Sequence, residues 1–118
     1  SSEDFTEFLV VADAGLIVSN LMNYPNPFSD FTRIHFEHNQ DAQDLEVQLD
    51  IFDINGRLVK SMQNTLLSTS FSNTEFVWNG ESASGSPVIS GVYFCKLTAY
   101  NPVSKKENTI STQMVLIK

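Results

Sequence analysis

The residues in this chain with chemical potential are few, and their spacing works against catalysis. There is one cysteine, Cys95, and two histidines, His35 and His38. Together they could supply a thiol nucleophile and an imidazole base. Cys95, however, alternates with Tyr93 and Leu97 on an apolar strand face, which reads as a buried structural thiol. His35 and His38 lie three apart in a strand-like run, so their rings point to opposite faces and share no metal. Asp53, Asn55 and Gly56 resemble a fragment of a calcium loop. The glycine comes too early and no bidentate glutamate follows, so a hairpin turn is the better reading. Asp41, Asp44, Glu46 and Asp50 could gather as a cation site, although carboxylates alternating along a wet strand are ordinarily just solvated. Trp78 and Tyr93 could line a carbohydrate site, but in a sandwich such rings more often fill the core. No nucleophile, base and orienting group can be placed together, and no metal or cofactor is expected.

The elements that position these side chains read as strands. The most patterned stretch runs from Trp78 to Leu97: a strand ending in Phe76-Val77-Trp78, a turn at Asn79-Gly80, a loop over 81–90 rich in Ser, Gly and Pro, then a strand from Gly91. Tyr93, Cys95, Leu97 and Ala99 share one face of that strand, and Val92, Phe94, Lys96 and Thr98 the other. Both faces have apolar residues near Gly91, as a central strand would.

Upstream, Leu16 to Met22 is the first strand, stopping at Asn23-Tyr24-Pro25-Asn26-Pro27-Phe28 because prolines lack ladder donors. That segment reads as a stiff crossing with Tyr24 and Phe28 available to pack on the sandwich. Thr32 to His38 alternates cleanly, with Thr32, Ile34, Phe36 and His38 on one face. Leu45, Val47, Leu49 and Ile51 resume the alternation until Phe52 breaks it, which predicts a bulge or a strand buried on both faces near Ile51. Asn55-Gly56 is a strong hairpin signal. Residues 63–73, with Leu66, Leu67 and Phe71 among Ser, Thr and Asn, read as a loop crossing between sheets. Asn101-Pro102 marks a turn, Lys105-Lys106-Glu107 is exposed, and Thr109 to Ile117 closes the chain with Ile110, Met114 and Leu116 on one face. The outcome is all-β: an immunoglobulin-like Greek-key β-sandwich of about seven antiparallel strands. It spans residues 15–118. Residues 1–14, where Phe5, Phe8, Leu9 and Val11 fit a short helix or an opening strand, are expected to be a linker or the end of a preceding domain.

Composition narrows the partners. The 118 residues suit one domain, and a net charge of −7 without a basic cluster argues against nucleic acid. One cysteine closes no internal disulfide, and no apolar run approaches the roughly 20 residues of a membrane helix. The start at Ser1-Ser2-Glu3-Asp4 suggests a C-terminal piece of something longer.

As an ordered set, Asn23 to Phe28, then Ile51-Phe52-Asp53-Ile54-Asn55-Gly56-Arg57-Leu58-Val59, then Trp78-Asn79-Gly80, Ser90 to Phe94, and Met114 to Lys118 resemble the C-terminal sorting domain of type IX secretion cargo. That family occurs in Bacteroidota and is similar to the immunoglobulin-like domain of flagellar hook-capping proteins. Phe36-Glu37-His38-Asn39 followed by Leu45-Glu46-Val47-Gln48 is most similar to the same domain of the type IX sortase, a gingipain-like cysteine peptidase.

The resemblance implies a non-catalytic sorting and docking module. Its partners would be the type IX translocon and an outer-membrane barrel shuttle, and its parent would be exported to the outer-membrane surface or secreted. In ordinary cargo the domain is removed, and in the sortase it is retained. Carried onto this chain, the signal lies in the last two strands, with Gly91, Tyr93, Met114, Val115, Leu116, Ile117 and Lys118 as docking residues. Pro25, Asn26, Pro27, Gly56 and Trp78 serve the fold. Family members often carry a Lys-rich run where Ser111-Thr112-Gln113 stands here, which favours strand pairing or apolar contact over charge. A terminal edge strand with exposed donors and acceptors would suit strand addition and allow edge-to-edge self-association. Deleting Met114 to Lys118 is then expected to stop secretion and leave much of the sandwich folded, unless the last strand also closes the core. The competing reading is a carbohydrate-binding or adhesive module, which needs Trp78 or Tyr24 on the surface.

Overall fold

The computed structural model describes residues 15–40, 43–67 and 72–118. The segment expected to be a linker, 1–14, together with Asp41 and Phe71, lies outside the described residues.

The described residues form seven strands: β1 (Val18–Tyr24), β2 (Thr32–His38), β3 (Leu45–Phe52), β4 (Leu58–Leu66), β5 (Ser72–Trp78), β6 (Gly91–Asn101) and β7 (Lys106–Leu116). They make two antiparallel sheets, one ordered β1-β2-β5 and the other β4-β3-β6-β7. The constant-type immunoglobulin arrangement puts its fourth strand beside the fifth. Here β4 stays with β3 through the hairpin at Asn55-Gly56, so the chain changes sheet between β4 and β5 instead. The expected crossing is therefore present but shorter than 63–73, because Gln63 to Leu66 continue β4 and Leu66 is buried in the core.

Alternation decides what each strand buries. Ile34 and Phe36 of β2 face Val47, Leu49 and Ile51 of β3 and Cys95, Leu97 and Ala99 of β6 across the sandwich interior, all nearly or fully buried. β6 lies between β3 and β7, as its two-sided pattern predicts. The slip near Ile51 is a bulge on the β4 side: Ile51 pairs with Lys60 and Phe52 with Leu58, which leaves Val59 as the extra residue. The hairpin before it is not a two-residue turn. Gly56, at φ 82°, takes the left-handed position after a turn closed by the Gly56 amide on the Asp53 carbonyl at 3.0 Å.

Two element ends differ from expectation. β1 runs on through Asn23 and Tyr24, which pair with Ile34 and Arg33, and stops at Pro25, the first residue without a donor. β7 begins at Lys106, because Asn101 caps the β6–β7 turn. Its buried side chain accepts from the Val103 and Ser104 amides at 2.9 and 3.2 Å and donates to Gln40 and Gln43.

Candidate functional site

The ends of β6 and β7 meet at one corner of the sandwich, where Gly91 pairs with Leu116 and Val92 with Val115. Met114 and Leu116 point inward and are fully buried, and Tyr93 beside them is 4% exposed. Ile117, on the opposite parity, is 55% exposed, Val115 is half-buried and Lys118 is exposed. The Lys118 amide donates to Ser90 Oγ at 3.0 Å, tying the chain end to the loop before β6. The expected docking residues thus divide into a buried anchor (Tyr93, Met114, Leu116) and a surface rim (Gly91, Val115, Ile117, Lys118).

The anchor is built around Trp78. Its indole is wholly buried, packs edge-on against Tyr93 at 5.3 Å between centroids and meets Phe28 at 5.5 Å, and Nε1–H donates to the Glu81 carbonyl at 2.9 Å. The Tyr93 hydroxyl donates to the Ile89 carbonyl at 2.6 Å. Its pKa is raised by burial, then by the charge of Asp53. Both rings are therefore core, and neither offers a glycan platform. Tyr24, expected to pack on the sandwich, is instead 74% exposed and so meets, as a single ring, the surface condition of the carbohydrate-binding reading that Trp78 fails, whereas Phe28 is 2% exposed.

The Pro25–Phe28 segment proves to be part of this corner, which periodicity alone does not reveal. Both X–Pro bonds, Tyr24–Pro25 and Asn26–Pro27, are cis. Phe28 makes a parallel bridge with Leu116: its amide donates to the Val115 carbonyl at 2.9 Å, and its carbonyl accepts from the Ile117 amide at 2.8 Å. Asn26 Oδ1 accepts from the Val115 amide at 3.0 Å. The segment is held from behind by buried Thr32, whose hydroxyl donates to the Pro25 carbonyl at 2.8 Å and accepts from Asn23 Nδ2 at 3.1 Å. The expected open edge at Met114 to Ile117 is thus occupied at Val115 and Ile117. Asn26, Phe28 and Ser90 were not among the expected docking residues; an asparagine between two prolines, where ladder donors are missing, is the one signal that hints at a side-chain hydrogen-bonding role.

The remaining reactive groups are used structurally. Cys95 is fully buried, and burial pushes its thiol up to about 11. His38 is buried, with Nδ1 accepting from the Gln40 amide at 3.0 Å, while His35 sits half-buried on the other face. The Asp53 carboxylate accepts from the Arg57 and Asn55 amides at 3.0 and 2.9 Å, and the Arg57 amide leads the effects that hold its pKa low. This is turn chemistry, not a cation loop. Of the expected acidic group, Glu46 and Asp50 share the outward face of β3 and Asp44 lies just before it. Asp50 accepts from Ser61 Oγ at 2.6 Å and Gln48 Nε2 at 2.9 Å.

The fold is similar to the crystal structure of dimeric latent PorU from Porphyromonas gingivalis, with 24% identity and a TM-score of 0.77, covering 92% of this chain and 10% of that one. It is also similar to the β-glucuronidase of Parabacteroides merdae, with 13% identity and a TM-score of 0.53, covering 86% of this chain and 13% of that one. Both likenesses are of fold, and the chain spans only a small share of either protein. Among curated proteins there is no sequence match. A family model described as the secretion system C-terminal sorting domain matches residues 22–112, well over half of the chain, from the end of β1 into β7. The chain therefore belongs to the C-terminal sorting domain family of type IX secretion.

Proposed function

We propose that this sorting domain is read at the β6–β7 corner by an outer-membrane barrel shuttle of the type IX translocon. Family membership makes the domain a non-catalytic module that works with the secretion machinery and sends its protein to the cell surface or out of the cell. The finer reading rests on one observation. The buried anchor of Trp78, Tyr93, Met114 and Leu116 fixes the last residues of the chain in place and leaves Val115, Ile117 and Lys118 at the surface. In this proposal Gly91 belongs to the same rim, Pro25, Asn26, Pro27 and Gly56 shape the scaffold, and residues 1–14 are a linker or the end of a preceding domain. The parent is a gingipain-like cysteine peptidase of the sortase type that keeps the domain at the outer membrane. The fit on PorU over 92% of this chain supports that parent.

The test is a fluorescent reporter fused ahead of residues 1–118, expressed in a host with a working type IX system and in one lacking the translocon. Export in the competent host alone is expected, with a product that retains the domain. A folded, well-expressed fusion that stays inside both hosts would overturn the reading.

A further inference from the structure

The last residues of the chain have two backbone edges and two side-chain faces, and three of these four surfaces are already occupied. One edge is laddered to β6, through Leu116 with Gly91 and Val115 with Val92. The other is closed by Phe28 and Asn26, through the Val115 carbonyl, the Ile117 amide and the Val115 amide. The inward face, Met114 and Leu116, is buried. The outward face, Val115 and Ile117, is the one left accessible.

We propose that Asn26 and Phe28 are positioning residues of the sorting signal: they close the free edge of the terminal strand, so that the machinery reads the outward side chains Val115 and Ile117 of a folded domain. This rests on the reading that the β6–β7 corner carries the signal. Adding a partner strand at Val115 to Ile117 would require all three of those hydrogen bonds to break. It would also require Phe28, 2% exposed against Trp78, to leave its pocket, and the Thr32 bond to Pro25 resists that movement. A segment that ordinary edge protection would only need to cover is here matched donor for acceptor to the terminal strand. Asn26 adds a side-chain acceptor for an amide that Phe28 does not serve.

The experiment uses the reporter fusion with residues 1–118 unchanged, N26A, N26D and I117D. Each is scored for export, for unfolding midpoint, and for amide hydrogen exchange at Val115 and Ile117. N26A is expected to speed exchange at Val115 on the order of tenfold and to lower export severalfold, while N26D, which keeps an acceptor oxygen, restores both. I117D, at a half-exposed site, is expected to keep the unfolding midpoint and lose most export. N26A exported as well as or better than wild type despite faster exchange would overturn the closed-edge proposal and leave the corner reading standing, whereas I117D exported as well as wild type would overturn the reading of the outward face and the proposal with it. An unchanged fusion that is not exported would overturn the corner reading and the proposal together.

Discussion

Removing the last five residues, Met114 to Lys118, tests whether the terminus is a detachable tag or part of the core. Met114 and Leu116 are both fully buried. Truncating one such side chain to alanine costs about 2–5 kcal/mol, so losing both costs about 4–10 kcal/mol before any backbone term. The ladder to β6 at Met114, Val115 and Leu116 and the bridge to Phe28 also disappear, each hydrogen bond contributing about 1 kcal/mol net. Against a typical total stability of about 5–15 kcal/mol, a chain ending at Gln113 is expected to be largely unfolded. A chain ending at Leu116 keeps both core side chains and loses only the bonds from the Ile117 and Lys118 amides, a cost of about 1–3 kcal/mol. Urea unfolding followed by the fluorescence of Trp78, the sole tryptophan, reports directly on this corner. Cooperative unfolding of the chain ending at Gln113 within about 2 kcal/mol of the full chain would refute the packing argument. It follows that lost export after the five-residue deletion would not by itself identify a recognition sequence.

Two further outcomes follow from particular residues. Burial holds the Cys95 proton more tightly in the folded state, so the unfolded thiol ionises first; stability should fall as pH rises from about 9 to about 11. The loss amounts to about 2–3 kcal/mol, and C95A should flatten that part of the alkaline limb in denaturant titrations. A C95A profile parallel to the parent's would contradict the assignment, since Tyr93 titrates in both. At Gly56, φ is 82° and an added Cβ meets open space, so G56A is expected to cost about 1 kcal/mol from backbone strain alone, with G56N milder. Equal midpoints for the three forms in thermal unfolding would show that the turn does not hold that conformation.

Much of this protein is legible in the sequence because strand burial is a matter of parity. Thr32, Ile34, Phe36 and His38, or Tyr93, Cys95, Leu97 and Ala99, alternate with polar or half-buried neighbours, and period-two alternation decides which side chains enter the core whatever the sheet order. The ordered motifs from Asn23 to Lys118 likewise identify the family, because local turn chemistry at Asn55-Gly56 and Asn79-Gly80 is written in residue type. What parity cannot say is which edges meet. The closure of β7 by Asn26 and Phe28 joins residues 89 positions apart and depends on β1 and β7 bordering each other at the sandwich edge. The same closure turned an expected open edge into a paired one, with Tyr24 outside and Phe28 inside, at a corner where Met114 and Leu116 are core and Val115 and Ile117 form the accessible face. A hydrogen bond between distant backbone segments leaves no periodic trace, since any residue but proline carries the same donor and acceptor, and only the packed sheets decide which of them find each other.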